Sequence, residues 1–181
     1  MYVWLRLARM ALTARSRGRY HLGDEGRLGF RCLPTDIDGN LHLNNARYMM
    51  LADVGRIDLF MRAGLLALAR KHGWAPMMGG LQTVYLREIR LWRKFDVVST
   101  IETWRDTQVI GRHRFELEDG QTAALVMTTA GIYDLRKRGF VPIGDIVSEL
   151  GVDVAPRPPS PEEEVFMESH GRLRALAKIA R

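Results

Sequence analysis

A chain of 181 residues is long enough for one well-buried domain and too short for two with separate cores. Its 46% hydrophobic and 27% charged residues exclude wholesale disorder. The formal charge of +6 is unevenly placed: Arg6, Arg9, Arg15, Arg17 and Arg19 meet no acidic residue before Tyr20 and the rest is close to neutral, which argues against a nucleic-acid-binding face.

Cys32 is the only cysteine, so no intrachain disulfide and no cysteine-based zinc site can hold this fold, and a reducing, cytoplasmic compartment is expected. With no basic partner near it in sequence, it reads as a small buried hydrophobe and not as a nucleophile.

The first 26 residues form a basic leader. At helical spacing Trp4, Leu5, Leu7, Ala8, Ala11 and Leu12 share a face opposite Arg6 and Arg9, which describes an amphipathic basic helix. It is interrupted by charge and far shorter than the roughly 20 residues needed to cross a bilayer. Two uses stay open: peripheral contact with an anionic membrane surface, or docking on its own domain or a partner subunit.

Residues 27–33 read as a first strand, ended by Pro34. Next comes Asp36-Ile37-Asp38-Gly39-Asn40-Leu41-His42-Leu43-Asn44-Asn45-Ala46-Arg47-Tyr48, a cluster of carboxylates, histidine and amides just before a long apolar-periodic segment. From Ala46 the residues Met50, Asp53, Val54, Ile57, Phe60, Met61 and Gly64 fall on one face of a predicted helix, with a second helical piece over 65–71. After Gly79-Gly80 the pattern changes to strands over 81–92, 97–104, 108–118 and 122–133, the last two joined by an Asp119-Gly120 hairpin signal.

Residues 134–159 look irregular, broken by Pro142, Pro156, Pro158 and Pro159. A second helix should start with Ser160 as N-cap, Pro161 in the first turn and Glu163 completing a capping box. Its stripe of Phe166, Leu173, Leu176 and Ala177 should dock on the domain or on a second copy. The organisation expected is a leader over 1–26, a central domain over 27–134 and an extension over 135–181.

A carboxylate beside the free amide donors of a helix start suits attack on an activated carbonyl, the donors holding the oxyanion that develops. The spacing Asp-x-Asp-x-Asn-x-His-x-Asn-Asn-x-x-Tyr also resembles the signature of the hotdog-fold acyl-CoA thioesterases of the 4-hydroxybenzoyl-CoA thioesterase type, and the resemblance extends more weakly from about Gly29 to Tyr133. It implies an α+β hotdog fold, an antiparallel sheet wrapped around a long central helix, here with an N-terminal amphipathic and a C-terminal helix added. It implies an acyl-CoA substrate, no further cofactor, and a homodimer or dimer of dimers. Carried over, it makes Asp38 the catalytic carboxylate, with the amides near Asn45 and Ala46 as oxyanion donors. The commonest form of the motif has glycine where this chain has Leu41; if that glycine serves a turn with φ > 0, the loop here must run differently.

Asp38 could act as nucleophile or as a base on water, and the sequence leaves both open. The plainer alternative is that Asp36 and Asp38 hydrogen-bond loop backbone, as aspartates do in turns. Asp53, placed inside the apolar face, is a second candidate acid or a partner for Arg56 or Arg47. His42 could position substrate or orient Asp38, and with Asn45 could fix the loop, or could be a satisfied structural histidine. Asn44, Ala46, Tyr48 and Met49 are the expected substrate-binding residues, and Met50, Phe60, Met77 and Met78 suggest an adaptable acyl pocket. Arg136, Lys137 and Arg138, or Arg112 and Arg114, could receive the phosphates of coenzyme A. His113 reads as core, and His21, His72 and His170 have no ligand spacing, so no metal is expected. The Asp36–Asn40 run fails as a calcium loop, because its glycine comes a step early and Arg47 stands near the closing position. A non-hydrolytic acyl-binding or membrane-associated scaffold, and more weakly a hydratase, are the rival functions.

Overall fold

Runs of β-branched and aromatic residues joined by short turns can satisfy their backbone groups by pairing with one another. In the computed structural model, which describes residues 2–179, they do so. Strands β1 (Gly26–Arg31), β2 (Trp74–Tyr85), β3 (Lys94–Arg105), β4 (Gln108–Leu117), β5 (Thr122–Asp134) and β6 (Gly139–Val141) form one antiparallel sheet in the order β1-β3-β4-β5-β2, with β6 paired to the end of β5. The sheet curls around α2 (Asn45–Arg62), followed directly by α3 (Leu65–His72), so the hotdog arrangement expected of an α+β chain is the one adopted.

Helix α2 buries two faces, not one. Tyr48, Leu51, Ala52, Gly55 and Leu59, spaced by three and four, turn toward the sheet. Val54, Ile57 and Met61 lie instead under a helix of the leader, α1 (Tyr2–Thr13), in a cluster with Leu7, Met10 and Leu28. Each fully buried leucine contributes about 1.5–3 kcal/mol. The two-sided burial corrects the single stripe predicted from Ala46 to Gly64, and it moves the buried acid from Asp53 to Asp58. Helix and sheet approach closely at Gly55, where a Cβ would stand 2.3 Å from Ser99 Oγ.

The leader docks by a face that was not the one expected. Val3, Leu7, Met10 and Ala14 recur at i, i+4, i+7 and i+11 and turn inward, Met10 and Ala14 fully. Trp4, Leu5 and Leu12 of the predicted stripe are 70%, 69% and 85% exposed. Two leader arginines neutralise carboxylates of the domain: Arg6 donates to Asp36 at 2.6 Å, and Arg17 to Asp58 at 2.6 Å, where Arg62 joins at 3.1 Å. Charge that reads as surplus along the sequence is therefore partly internal.

Strand β2 starts seven residues earlier than predicted and ends at Tyr85. It runs through Pro76, which an edge strand tolerates because its missing N–H faces away from the partner, and a bulge between Met78 and Gly80 absorbs Gly79. Residues 86–92 are then loop, not strand. Residues 134–159 are less irregular than expected: Arg136–Arg138 turn β5 into β6, and α4 (Ile143–Glu149) packs Ile143, Ile146 and Val147 into a cluster with Phe60 and Leu65. The capping box of α5 (Pro161–Ile179) forms as predicted, Ser160 N–H donating to Glu163 at 2.8 Å and Glu163 N–H to Ser160 Oγ at 3.3 Å. Its stripe docks only through Phe166, for Leu173 and Leu176 are exposed.

Candidate active site

The motif loop is a small hairpin pinched at its base. Ile37 bridges Leu43, Asp38 N–H donates to His42 O at 3.0 Å, and Leu41 N–H donates to Asp38 O at 3.1 Å. In a three-residue hairpin of this kind the residue after the turn adopts the left-handed conformation that favours glycine. Here Leu41 takes it, with φ 61°. The loop does not run differently for want of the glycine; a leucine exposed to solvent accepts the strained backbone instead.

The two aspartates have different surroundings. Asp36 is fully buried, and one carboxylate oxygen receives both the Leu33 N–H at 2.8 Å and the Arg6 guanidinium at 2.6 Å. Burial pushes its pKa up, opposed by the Leu33 amide and the Arg47 charge. Asp36 O also accepts the Asn44 N–H at 2.8 Å, so this residue ties the loop to the helix start and to the leader. Asp38 is half-buried; its carboxylate accepts the Asn40 N–H at 2.9 Å, and no guanidinium or ammonium group pairs with it among the described residues.

At the start of α2, Asn44 is the N-cap, its Oδ1 accepting Ala46 N–H at 2.9 Å while its carbonyl accepts Arg47 N–H at 2.8 Å. Asn44 is thus a capping residue, and the Ala46 amide expected as an oxyanion donor is already engaged. The Asn45 N–H, first of the helix, has no acceptor among the described residues. Tyr85 reaches across from β2, its hydroxyl donating to Asn45 O at 3.4 Å.

Other expected site residues lie elsewhere. Tyr48 is 3% exposed and sits between Tyr85 and Phe115 at 5.0 and 4.9 Å between ring centres, a core ring and not a substrate contact. Its hydroxyl pKa is raised by burial first and by nearby Tyr85, Cys32 and Asp38. His42 places Nε2 2.6 Å from Glu88 Oε2, so it orients on Glu88 and not on Asp38. Glu88 was hidden in a predicted strand; the loop that replaces that strand brings it to the motif through the His42–Arg90 bridge. Asp53 points outward, 51% exposed, and bonds Arg56 at 2.8 Å. Met49 is half-buried beside the helix start. Arg136, Lys137 and Arg138 follow the Asp134 end of β5, which pairs with Trp74, whereas Asn45 lies by Tyr85 at the other end of β2. Eleven residue steps separate those ends, about 36 Å, so within one chain the basic turn and the motif loop are not brought together. Cys32 is fully buried with a free thiol pushed up by burial, as its sequence context suggested. Among the described residues no cluster of histidine, cysteine and carboxylates has metal-holding geometry.

Known proteins share this fold. Residues 32–167 match the profile of the Thioesterase-like superfamily. Protein THEM6 of Xenopus laevis is 34% identical over 97 residues, 53% of this chain and 47% of that protein, and Protein THEM6 of Drosophila melanogaster is 25% identical over 73% of this chain and 66% of its own length. The chain thus spans about half the length of the first of these relatives and under two thirds of the second. Among solved structures, the YbaW probable thioesterase from Escherichia coli superposes with a TM-score of 0.64 at 21% identity, covering 68% of this chain and 95% of that one. SAV2348 from Staphylococcus aureus, solved in complex with CoA, gives 0.64 at 17% identity over 81% of this chain and 95% of its own. At those identities the structural likeness is one of fold, while the profile match covers most of the chain: this protein belongs to the thioesterase-like superfamily.

Proposed function

We propose that the chain hydrolyses an acyl-CoA or a closely related acyl thioester. The observation that carries this reading is the contrast within the motif: Asp36 is ion-paired and buried, while Asp38 stands half-open at the mouth of α2 with only a backbone amide on it. An unneutralised carboxylate can attack a thioester carbonyl or take a proton from water. The Asn45 N–H, at the positive end of α2, is the donor for the oxyanion, in place of the pair of amides expected from sequence. His42 and Glu88 hold the flank of the loop in register.

The site is completed by a second copy. Strand β2 is an unpaired edge twelve residues long, and Met77, Met78, Leu81, Val84 and Tyr85 are exposed along it. An open apolar edge of that length is the surface another copy of the same strand covers. The test is thiol release from a panel of acyl-CoAs: wild type should exceed buffer, and Asp38→Asn should lose at least about 100-fold in kcat/KM with its melting temperature unchanged. Equal rates for wild type and Asp38→Asn would remove the mechanism.

A second reading, contact with a membrane, has its own observation. Helix α1 is docked by one face and carries a second apolar face outward, with Trp4, Leu5 and Leu12 beside the exposed Arg9 and Arg15. That combination suits the surface of an anionic bilayer. No helix among the described residues is long and apolar enough to cross one. Co-sedimentation with anionic but not zwitterionic vesicles, lost in Trp4→Asp/Leu5→Asp, is the expected result; no sedimentation with either excludes the contact.

A further inference from the structure

The face of the sheet turned away from α2 carries α5, and the strand register shows which way that helix runs. Thr103, Ile110, Thr129 and Gly80 form one row across β3, β4, β5 and β2. Gly111 and Thr128, the strand neighbours of Ile110 and Thr129, line a small cavity with Leu59 and Phe60 of α2, so the row itself faces the other way. Thr103, Ile110 and Thr129 are nevertheless buried, because the chain crosses above them. Over β3, Thr103 Oγ1 donates to Arg157 O. In the first turn of α5, the fully buried Glu163 stands 3.4 Å from the guanidinium of Arg112 on β4. Farther along, His170 lies against Gly79 and Gly80 of β2, where a Cβ on Gly80 would stand 2.6 Å from His170 Nδ1. From Glu163 to His170 the helix rises about 10 Å, and from β4 to β2 are two strand spacings, also about 10 Å. Helix α5 therefore lies across the strands and reaches the free edge of the sheet at His170.

The helix does not stop there. Residues 171–179 continue past β2, the last strand on that side of the sheet, for about 14 Å. All of them are exposed, Leu173, Leu176 and Ile179 included. Two turns of helix with no packed face are marginal in water, so this stretch needs a surface beyond the edge. Its charges point to one. Glu162, Glu164 and Glu168 stand in the first half of α5, and Arg172, Arg174 and Lys178 in the second. A copy of the same helix laid antiparallel sets acid against base along its length and opposes the two helix dipoles.

We propose that α5 is a clasp between two copies of this chain: its last half crosses the β2 edge onto the outer face of a second copy and packs antiparallel on that copy's α5. This rests on the pairing through β2 put forward above. The seam lies half a strand spacing past His170, about two residues of helix. The two-fold axis of such an interface then falls near Arg172, and the exposed Val165 of each chain comes opposite the exposed Ile179 of the other.

The experiment is analytical ultracentrifugation of the full chain over a dilution series, joined to oxidative cross-linking. Wild type should sediment as a dimer, and Leu173→Asp/Leu176→Asp should raise the dimer Kd by at least about tenfold, with the melting temperature of the dilute monomer unchanged. Within one chain Val165 and Ile179 are about 21 Å apart along the helix, too far for a disulfide. The double variant Val165→Cys/Ile179→Cys should therefore oxidise to a covalent dimer, and neither single variant should. A dimer whose Kd ignores the aspartates, or a double variant that does not cross-link, overturns the clasp and leaves the β2 pairing standing. Single variants that cross-link as readily as the double one overturn the antiparallel arrangement. A chain that stays monomeric at every concentration removes the β2 pairing and the clasp together, while thiol release still decides hydrolysis on its own.

Discussion

Two regions of the molecule bury polar side chains, one around paired carboxylates and one around neutral groups. Beneath α1, Asp36 and Asp58 are each met by guanidinium groups from the leader. Beneath α2, His113 Nε2 borders a small cavity with no hydrogen-bond partner among the described residues, and Thr83 Oγ1, two strands away on the same register row, has none either. Satisfied burial holds a fold together, and an unpaired buried atom costs stability.

The contrast should be visible first in stability. Asp36→Ala removes the partner of a buried arginine and of the Leu33 amide and should cost about 3–5 kcal/mol in urea unfolding. Thr83→Val, on the other row, removes a buried hydroxyl with nothing to bind and should raise stability by about 1 kcal/mol. Opposite signs from two polar-to-apolar substitutions in one core would confirm the distinction; the same sign would erase it.

Acid should expose the row in a second way. The folded His113 has its pKa near 3, below its ordinary value of 6.5. Between those values the unfolded chain binds a proton that the folded ring refuses, so stability is fully present above pH 6.5 and is lost as pH falls through the window, by up to about 1.4 kcal/mol per pH unit. Unfolding followed by fluorescence at fixed urea across pH 7 to 4 should show the slope, and His113→Leu should flatten it. The smallest effect belongs to the motif loop: Leu41→Gly should stabilise by about 1 kcal/mol, by relieving the left-handed strain at φ 61°. A melting temperature lowered by that change would mean the leucine side chain contributes more than its backbone costs.

How far these features were legible depends on their range. The Asp119-Gly120 turn and the box of Ser160 and Glu163 are local patterns, and they were readable along the chain. Asp38 and the helix start were marked by the motif. The face of α1, the buried acid of α2 and the partner of His42 depend on pairs far apart in sequence: Arg6 with Asp36, Arg17 with Asp58, His42 with Glu88. Periodicity could not choose between Asp53 and Asp58, because both fall near apolar positions and only the docking of the leader decides which is covered. The row of Ser99, His113 and Thr83 needed the strand register, which no local pattern states.

The reach of Arg6 and Arg17 into the domain also bears on how the leader can be studied. Cutting away the first twenty residues would take the Arg6 guanidinium from Asp36 and the Arg17 guanidinium from Asp58, carboxylates that are 0% and 1% exposed, and a shortened protein would report a damaged interior whatever the leader does in the cell. Changes confined to its outward side chains leave those anchors in place, so single substitutions, not deletions, are the instrument that can isolate its purpose.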